Sequence, residues 1–155
     1  MNVLHIYICP QHIFKGHHGK PPGETPIEEV DSIECVAGSG IKGDRFFDHK
    51  PDFKGQITFF DHAVYQRLCD TFGVHDKNPS VFRRNIITDG ADLNTLIGQE
   101  FELQGLRFLG TEECSPCYWM NQVFHEGAED ALKGHGGLRA KIISGGTLHR
   151  SDSSA

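Results

Sequence analysis

The sequence predicts a mainly β fold with short helices, in which the strands form a closed or nearly closed β-barrel. Three observations support this prediction: many short strand-like segments, only two segments with helical periodicity, and an excess of glycine. Glycine accounts for 18 of the 155 residues, whereas roughly 7% is usual in proteins. In a chain without repeats, that much glycine indicates tight turns and bulges between short strands. Such turns are typical of barrel architectures.

At least six segments have strand character, with β-branched and aromatic residues in loose alternation. They are residues 3–9, 27–37, 56–60, 85–88, 100–109 and 138–143. Residues 11–26 separate the first two strands and are rich in glycine and proline, which predicts a loop. This loop contains His17 and His18, whose side chains point apart as sequence neighbours and lack a third ligand nearby. We interpret the pair as solvated rather than metal-binding.

The first of two predicted helices begins at Asp61, a favourable N-cap residue. Its apolar side chains recur on one face at Val64, Tyr65, Leu68 and Phe72, which is the spacing of an amphipathic helix.

The second predicted helix begins at Ser115. Apolar and small residues follow helical spacing over three turns: Met120, Val123, Phe124, Gly127, Ala128, Ala131 and Leu132. Gly127 is a point at which the helix can divide in two, and Gly134 stands where a helix stop belongs. Residues 151–155 form a polar tail.

Length and charge predict one domain, residues 1–155, that does not bind nucleic acid. The chain has 15 basic and 21 acidic residues, a net charge of −6, whereas phosphate-backbone binding requires a concentrated basic face. No apolar run approaches the roughly 20 residues of a membrane span, and the N-terminus lacks the features of a signal peptide. We therefore expect a cytoplasmic protein without a membrane partner, in which the five cysteines stay reduced.

Residues 38–43 match the GxGxxG fingerprint of dinucleotide-binding proteins. The fingerprint requires a helix after its third glycine, whose N-terminus receives the pyrophosphate. Here Gly43 is followed by residues 44–51, which lack an apolar helical period and end in Pro51. We therefore expect no stable NAD or FAD binding. The segment is either a flexible turn or a turn that lets another phosphate-bearing ligand approach Lys42 and Arg45.

The run Cys114-Ser115-Pro116-Cys117 has several interpretations. Half of a zinc site is one, but such a site needs two further ligands. A redox dithiol is another, but it needs a βαβ context. The other cysteines stand in apolar or helical surroundings and resemble small buried hydrophobes: Cys9, Cys35 and Cys69. A buried inert cysteine remains the third possibility for Cys117.

A functional Cys117 is the interpretation that we favour. Serine is a preferred N-cap and proline a preferred first helical residue, so Ser115-Pro116 would place Cys117 in the first turn of a helix. There the helix dipole would stabilise a thiolate, which is both a nucleophile and a soft metal ligand. Cys114 precedes the cap and would gain less.

Two basic clusters indicate what the thiolate meets. Arg83-Arg84-Asn85 leads into a strand, where arginine can bind a phosphate and asparagine can contact a heterocycle edge. A glycine-rich turn followed by Arg139 repeats the pattern. If Arg45, Arg83 and Arg139 converge on one pocket, they serve a phosphate-bearing ligand; if they scatter, they are ordinary surface charge.

The chain resembles the MOSC domain family, the type found at the C-terminus of molybdenum-cofactor sulfurases, as a small stand-alone member. The likeness runs in order over residues 27–152. It rests on Gly43-Asp44-Arg45, Arg83-Arg84-Asn85-Ile86, Asp92-Leu93-Asn94 with Leu96-Ile97-Gly98, Cys114-Ser115-Pro116-Cys117, and Gly137-Leu138-Arg139-Ala140 with Gly145-Gly146. Two positions depart from the family pattern: Phe46, where histidine is frequent, and Ser151, where glycine is usual.

The resemblance implies a β-barrel and a pterin-based molybdenum cofactor as ligand. Cys117 would carry a persulfide sulfur or ligate molybdenum. Arg83 and Asn85 would hold the pterin or its phosphate, and Ser115 would lie beside the metal. With Arg45 and Arg139 from the basic clusters, these residues form the predicted site.

Three functions follow from these expectations. In the first, the protein is a sulfur carrier or transferase: Cys117 takes sulfur from a cysteine desulfurase and passes it to a metal centre. In the second, the protein is a molybdenum-dependent reductase of N-hydroxylated compounds that uses an external electron-donor protein. In the third, it is a non-catalytic cofactor carrier. No pyridoxal-phosphate site is evident in the sequence, so a separate desulfurase would supply that cofactor.

Overall fold

The structure is a computed structural model that describes residues 1–10, 27–116 and 119–151. Within these ranges, ten strands and three α-helices follow one another. In order they are β1 (Asn2–Ile8), β2 (Glu28–Val30), β3 (Ser32–Val36), β4 (Gly40–Ile41), β5 (Ile57–Asp61), α1 (His62–Phe72), β6 (Ile86–Asp89), β7 (Glu100–Leu103), β8 (Leu106–Glu113), α2 (Trp119–Val123), α3 (Ala128–Ala131), β9 (Leu138–Ser144) and β10 (Gly146–His149). Short 3-10 helices occupy Pro79–Phe82 and Leu93–Leu96.

The strands form two sheets. Seven strands lie in the order β2-β1-β6-β5-β9-β8-β7, and three lie in the order β10-β3-β4. All pairs are antiparallel except β5 and β6, which α1 connects because parallel strands need a crossover. The cap of α1 is as predicted: the Asp61 carboxylate accepts a 3.0 Å hydrogen bond from the Ala63 amide.

Two cores cover the two faces of the seven-stranded sheet. Along β5, Phe59 faces the first core and Phe60 the second, since successive strand residues point to opposite faces. The first core lies against the three-stranded sheet, which contributes Ile33, Cys35, Ile41 and Leu148. The second core lies against the helices, which contribute Val64, Leu68, Met120 and Ala128, and Phe124 joins it just after α2.

The mainly β prediction with short helices is confirmed, but a closed barrel is not found. Within the described ranges neither sheet closes: β2 and β7 are the edges of the seven-stranded sheet and do not pair with each other. The three-residue β2 is followed at once by β3, which turns into the second sheet and covers the first core. The predicted strand 100–109 is likewise two strands, because Gln104 and Gly105 take φ values of +54° and +84° and form a tight hairpin turn.

The predicted helix from Ser115 also differs from the structure. Ser115 and Pro116 are not helical, and α2 begins at Trp119, so the assignment of Ser115 as N-cap is wrong. The reason lies in the sheet: Cys114 still donates a 2.8 Å hydrogen bond to the Gly137 carbonyl, and proline favours an extended residue before it. Gly127, at φ +95°, does divide the segment, and α3 begins after it.

Some sequence predictions lie outside the described residues: the loop 11–26 with His17 and His18, Cys117 itself, and most of the polar tail. In the part of the chain that is described, no helix combines the length and the apolar character needed to cross a membrane.

Candidate functional site

Five residues predicted from the sequence line one cleft of about 340 Å³: Arg45, Arg83, Asn85, Ser115 and Arg139. They come from four places in the chain, namely the turn after β4, the entrance of β6, the end of β8 and the start of β9. Arg45, Arg83 and Arg139 therefore converge rather than scatter. The described lining contains four arginines and two glutamates, a basic concavity in a chain of net charge −6.

The turn that carries Arg45 is held by the buried carboxylate of Asp44. Its oxygens accept hydrogen bonds from the amides of Cys9 at 3.0 Å and Phe46 at 3.3 Å, and the Arg45 amide donates to the Cys9 carbonyl at 2.8 Å. The Arg45 guanidinium lies over the Phe46 ring, 4.6 Å from its centroid. Turns rather than a helix follow Gly43, as predicted for residues 44–51.

Arg83 occupies an unusual backbone position at the end of the Pro79–Phe82 helix. Its φ is +57°, a left-handed value that few residues other than glycine adopt. This conformation turns the chain into the entrance of β6. The Arg83 guanidinium lies 4.2 Å from the centroid of the Trp119 ring, so α2 supplies one wall of the arginine's surroundings.

Asn85 is buried and its carboxamide is engaged inside the protein. Its Oδ1 accepts hydrogen bonds from the amide and the hydroxyl of Thr58, both at 3.0 Å. Its Nδ2 donates to the Tyr7 carbonyl at 3.1 Å and to Asp44 at 3.4 Å. These four bonds use the hydrogen-bonding capacity of the group, so in this structure Asn85 joins β1, β5 and the Arg45 turn.

Arg139 enters the cleft from β9, opposite Glu112 of β8 in the strand register. Its Nη1 lies 2.9 Å from Glu112 Oε1. A Cβ at Gly55 would lie 2.8 Å from Arg139 Nε, so the absence of a side chain there leaves room for the guanidinium. Phe53 lies beneath it, with the guanidinium carbon 5.2 Å from the ring centroid.

Cys114 lines the cleft as a neutral thiol. It is buried, and this burial raises the pKa of the thiol, an effect that Arg84 and Arg139 oppose and that Glu113 and Glu112 reinforce. A thiol with a raised pKa is a poor nucleophile at neutral pH. Ser115, the next residue, is exposed at the cleft, and Cys117 follows two residues later, outside the described residues.

Six cleft residues were not in the predicted site: Phe46, Thr58, Arg84, Glu112, Glu113 and Cys114. Arg84 belongs to the Arg83-Arg84-Asn85 motif, from which only Arg83 and Asn85 were predicted as site residues. No local sequence pattern marks the two glutamates as site residues. They reach the cleft because β8 pairs with β9, and these two strands are far apart in the sequence. No three His, Cys, Asp or Glu side chains converge as metal ligands among the residues that the structure describes.

Comparison with known proteins identifies the fold and the family. The YuaD protein of Bacillus subtilis superposes with a TM-score of 0.72 at 19% identity, covering 97% of this chain and 92% of YuaD. YiiM of Escherichia coli gives 0.65 at 18% identity, covering 96% of this chain and 66% of YiiM. YiiM of Geobacillus stearothermophilus gives 0.65 at 12% identity, covering 97% and 71%.

These structural similarities, at under a fifth identity, show the fold. No curated protein sequence matches the chain significantly. The family model of the MOSC domain, however, matches residues 16–152, which is most of the chain and includes every residue of the cleft. The chain therefore belongs to the MOSC domain family.

Proposed function

We propose that the cleft binds a molybdenum cofactor through the phosphate of its pterin, and that Cys117 carries sulfur to a metal centre. The observation that supports this most is the convergence of Arg45, Arg83 and Arg139 on one cleft. Ser115, two residues before Cys117 in the sequence, also lines this cleft. MOSC domains are generally linked to molybdenum-cofactor binding, and this chain is a member.

The donor chemistry of the cleft fits such a ligand. A volume of about 340 Å³ is within the roughly 300–1,000 Å³ of small-molecule sites. Arginine recognises phosphate through N–H groups that lie in the guanidinium plane. The Arg45 guanidinium lies over the Phe46 ring, a contact that holds it at the cleft. Arg45, Arg83 and Arg139 would hold the phosphate, and the bound cofactor would supply the metal to which sulfur is delivered.

The sulfur step requires a nucleophilic thiolate, and the residues described around Ser115 favour one at Cys117. Ser115 and Pro116 are not helical, so we assign no part of the stabilisation to a helix dipole. We propose instead that the arginine excess of the cleft, which Ser115 lines, is the principal source of thiolate stabilisation. Cys114, by contrast, is a buried thiol whose pKa is raised, so we assign it no transfer role.

The transfer itself balances without a metal. The Cys117 thiolate attacks the terminal sulfur of a persulfide on a cysteine desulfurase, so a sulfur–sulfur bond forms on Cys117 while the desulfurase thiolate leaves. Cys117 then bears the sulfane sulfur as a persulfide, which is a reversible cysteine modification. Delivery of that sulfur as sulfide consumes two electrons, which two external thiols would supply: the first releases sulfide and forms a mixed disulfide with Cys117, and the second regenerates the Cys117 thiol and leaves as a disulfide with the first.

The test is mass spectrometry of the Cys117 peptide after incubation with a persulfidated desulfurase. We expect a mass increase of one sulfur on Cys117, absence of that increase in Cys117→Ser, and its persistence in Cys114→Ser. Equal loss in both variants would indicate a dithiol or a metal pair, and an unmodified Cys117 in the wild-type protein would refute the sulfur-carrier function.

A second assay distinguishes the sulfur carrier from the two other predicted functions, the reductase and the non-catalytic cofactor carrier. Turnover of an N-hydroxylated compound with an artificial electron donor, lost in Cys117→Ser, would establish a reductase instead. Bound cofactor with neither turnover nor a persulfide would leave a cofactor carrier.

A further inference from the structure

The backbone of Gly136 is held at its amide and at its carbonyl by two charged side chains of the cleft. The Gly136 amide donates a 3.1 Å hydrogen bond to Glu113 Oε2. Its carbonyl accepts a 2.9 Å hydrogen bond from Arg84 Nε. Arg84 is itself anchored, since its Nη1 donates to the Phe82 carbonyl at 3.2 Å.

The backbone of Gly136 packs closely against residues 114–116, which precede Cys117 in the sequence. A Cβ at Gly136 would lie 1.9 Å from the Cys114 carbonyl oxygen and 3.1 Å from Pro116 Cδ. Such distances show that the backbone of the turn is in direct contact with residues 114–116. The next peptide continues this contact, because the Cys114 amide donates to the Gly137 carbonyl at 2.8 Å.

We infer that Arg84 and Glu113 are positioning residues: they hold the backbone of Gly136, which fixes residues 114–116 at the cleft and thereby the start of the segment that bears Cys117. This arrangement gives Arg84 and Glu113 a role distinct from that of Arg45, Arg83 and Arg139. The inference rests on the proposed function, which gives Cys117 its chemical task and attributes its thiolate to the arginines of the cleft.

Electrostatics and positioning predict opposite effects of changing Glu113. If Glu113 acted only through its negative charge, its neutralisation would favour a thiolate on Cys117 and speed its alkylation. If Glu113 acts by accepting the hydrogen bond from Gly136, then Glu113→Gln keeps the acceptor and preserves the arrangement. Glu113→Met loses the acceptor at similar side-chain length, and Arg84→Lys keeps the charge but loses the planar fork that reaches two carbonyls.

The experiment measures iodoacetamide alkylation of the Cys117 peptide at neutral pH, together with hydrogen exchange of the Gly136 amide by NMR. We expect Glu113→Met and Arg84→Lys each to slow alkylation roughly fivefold, because residues 114–116 would no longer hold the start of the Cys117 segment at the arginines of the cleft. Gly136 exchange should rise roughly tenfold in Glu113→Met, and Glu113→Gln should match the wild type in both. The double variant should be no slower than its slower single variant, since both side chains act through the same residue, Gly136.

Arg107→Lys is the matched control, because Arg107 pairs with Glu100 at an exposed position outside the cleft. Urea unfolding is measured for each variant, and Glu113→Ala replaces Glu113→Met if the latter does not fold.

Faster alkylation in Glu113→Met, or equal effects of Glu113→Gln and Glu113→Met, would overturn the inference. If the expected pattern holds while the wild type takes up neither sulfur nor molybdenum, the proposed function fails alone; if the wild type takes up both and the pattern is absent, the inference fails alone.

Discussion

Cys35 lies on β3 in the core between the two sheets, and burial raises the pKa of its thiol from the ordinary 9.0 to about 12, with a smaller contribution from Glu34. In the unfolded chain the same thiol ionises near 9.0. As the pH rises above that value, the unfolded state releases its proton first and is favoured. The contribution of Cys35 to stability is therefore complete below pH 9 and is lost progressively as the pH approaches 12.

Replacement of Cys35 should thus flatten the alkaline limb of the stability profile. Cys35→Val keeps an apolar side chain of similar size and removes the ionisable group. We expect the free energy of unfolding of the wild type to fall between about pH 9 and pH 11. In this range the free energy of unfolding of Cys35→Val should fall less steeply, by up to about 1.4 kcal/mol per pH unit. Urea unfolding across this range gives the free energies, and below about pH 8 the two slopes should coincide. Equal slopes over the whole range would contradict the assignment. Tyr65, whose pKa burial raises to about 12, accounts for part of the slope that remains.

At the scale of elements, the β8–β9 pair assembles most of the cleft. Its register places Glu112 opposite Arg139, and it is irregular between Gly110 and Glu112. Thr111, the residue in the irregularity, donates its hydroxyl to the Lys54 and Arg139 carbonyls at 2.8 and 3.0 Å. Bulges of this kind redirect side chains. Here the bulge precedes the two glutamates and residues 114–115 that line the cleft.

Gly110 determines how closely the Leu93–Leu96 helix packs on β8. A Cβ there would lie 2.0 Å from the Leu96 carbonyl oxygen, and Gly110 exchanges hydrogen bonds with Gly98 and Gln99 at 2.8 and 3.0 Å. Gly110→Ala must therefore displace backbone, and we expect a loss of roughly 3 kcal/mol of unfolding free energy. Gly105→Ala is the control: its turn is open, with φ +84°, so only backbone strain of roughly 1–2 kcal/mol applies. Urea unfolding compares them, and equal losses would contradict the close approach.

At the scale of the whole molecule, local patterns were predictable and long-range pairing was not. The cap at Asp61 and the apolar face of α1 follow from neighbouring residues, and so do the positions of most strands. The short β4 and β10 have too few residues for a pattern, so the second sheet was not foreseen and a closed barrel was expected instead. Pro116 is a typical first residue of a helix, so a helix start was predicted there. The prediction fails because the Cys114 amide still donates its hydrogen bond to the Gly137 carbonyl, a contact between distant parts of the sequence.

The candidate site shows the same division. Arg45, Arg83 and Arg139 were selected because each stands beside a turn or strand entrance, a local feature, and the structure places all three in one cleft. Asn85 was selected in the same way, but its carboxamide bonds to Thr58, Tyr7 and Asp44, partners at least 27 residues away. The contacts of Arg84 and Glu113 with Gly136 depend on three separate segments, which no spacing rule connects.

The proposed binding of the molybdenum cofactor in the arginine cleft is tested by the molybdenum and pterin content of the full chain purified from a host that makes the cofactor. This content is compared between the wild type, Arg45→Ala and Arg107→Ala. We expect about one equivalent in the wild type and in Arg107→Ala, and at least a roughly tenfold lower content in Arg45→Ala, because a lost charge-assisted contact to phosphate costs roughly 1.5–3 kcal/mol. Wild-type protein free of molybdenum and pterin, or equal contents in all three proteins, would contradict the claim.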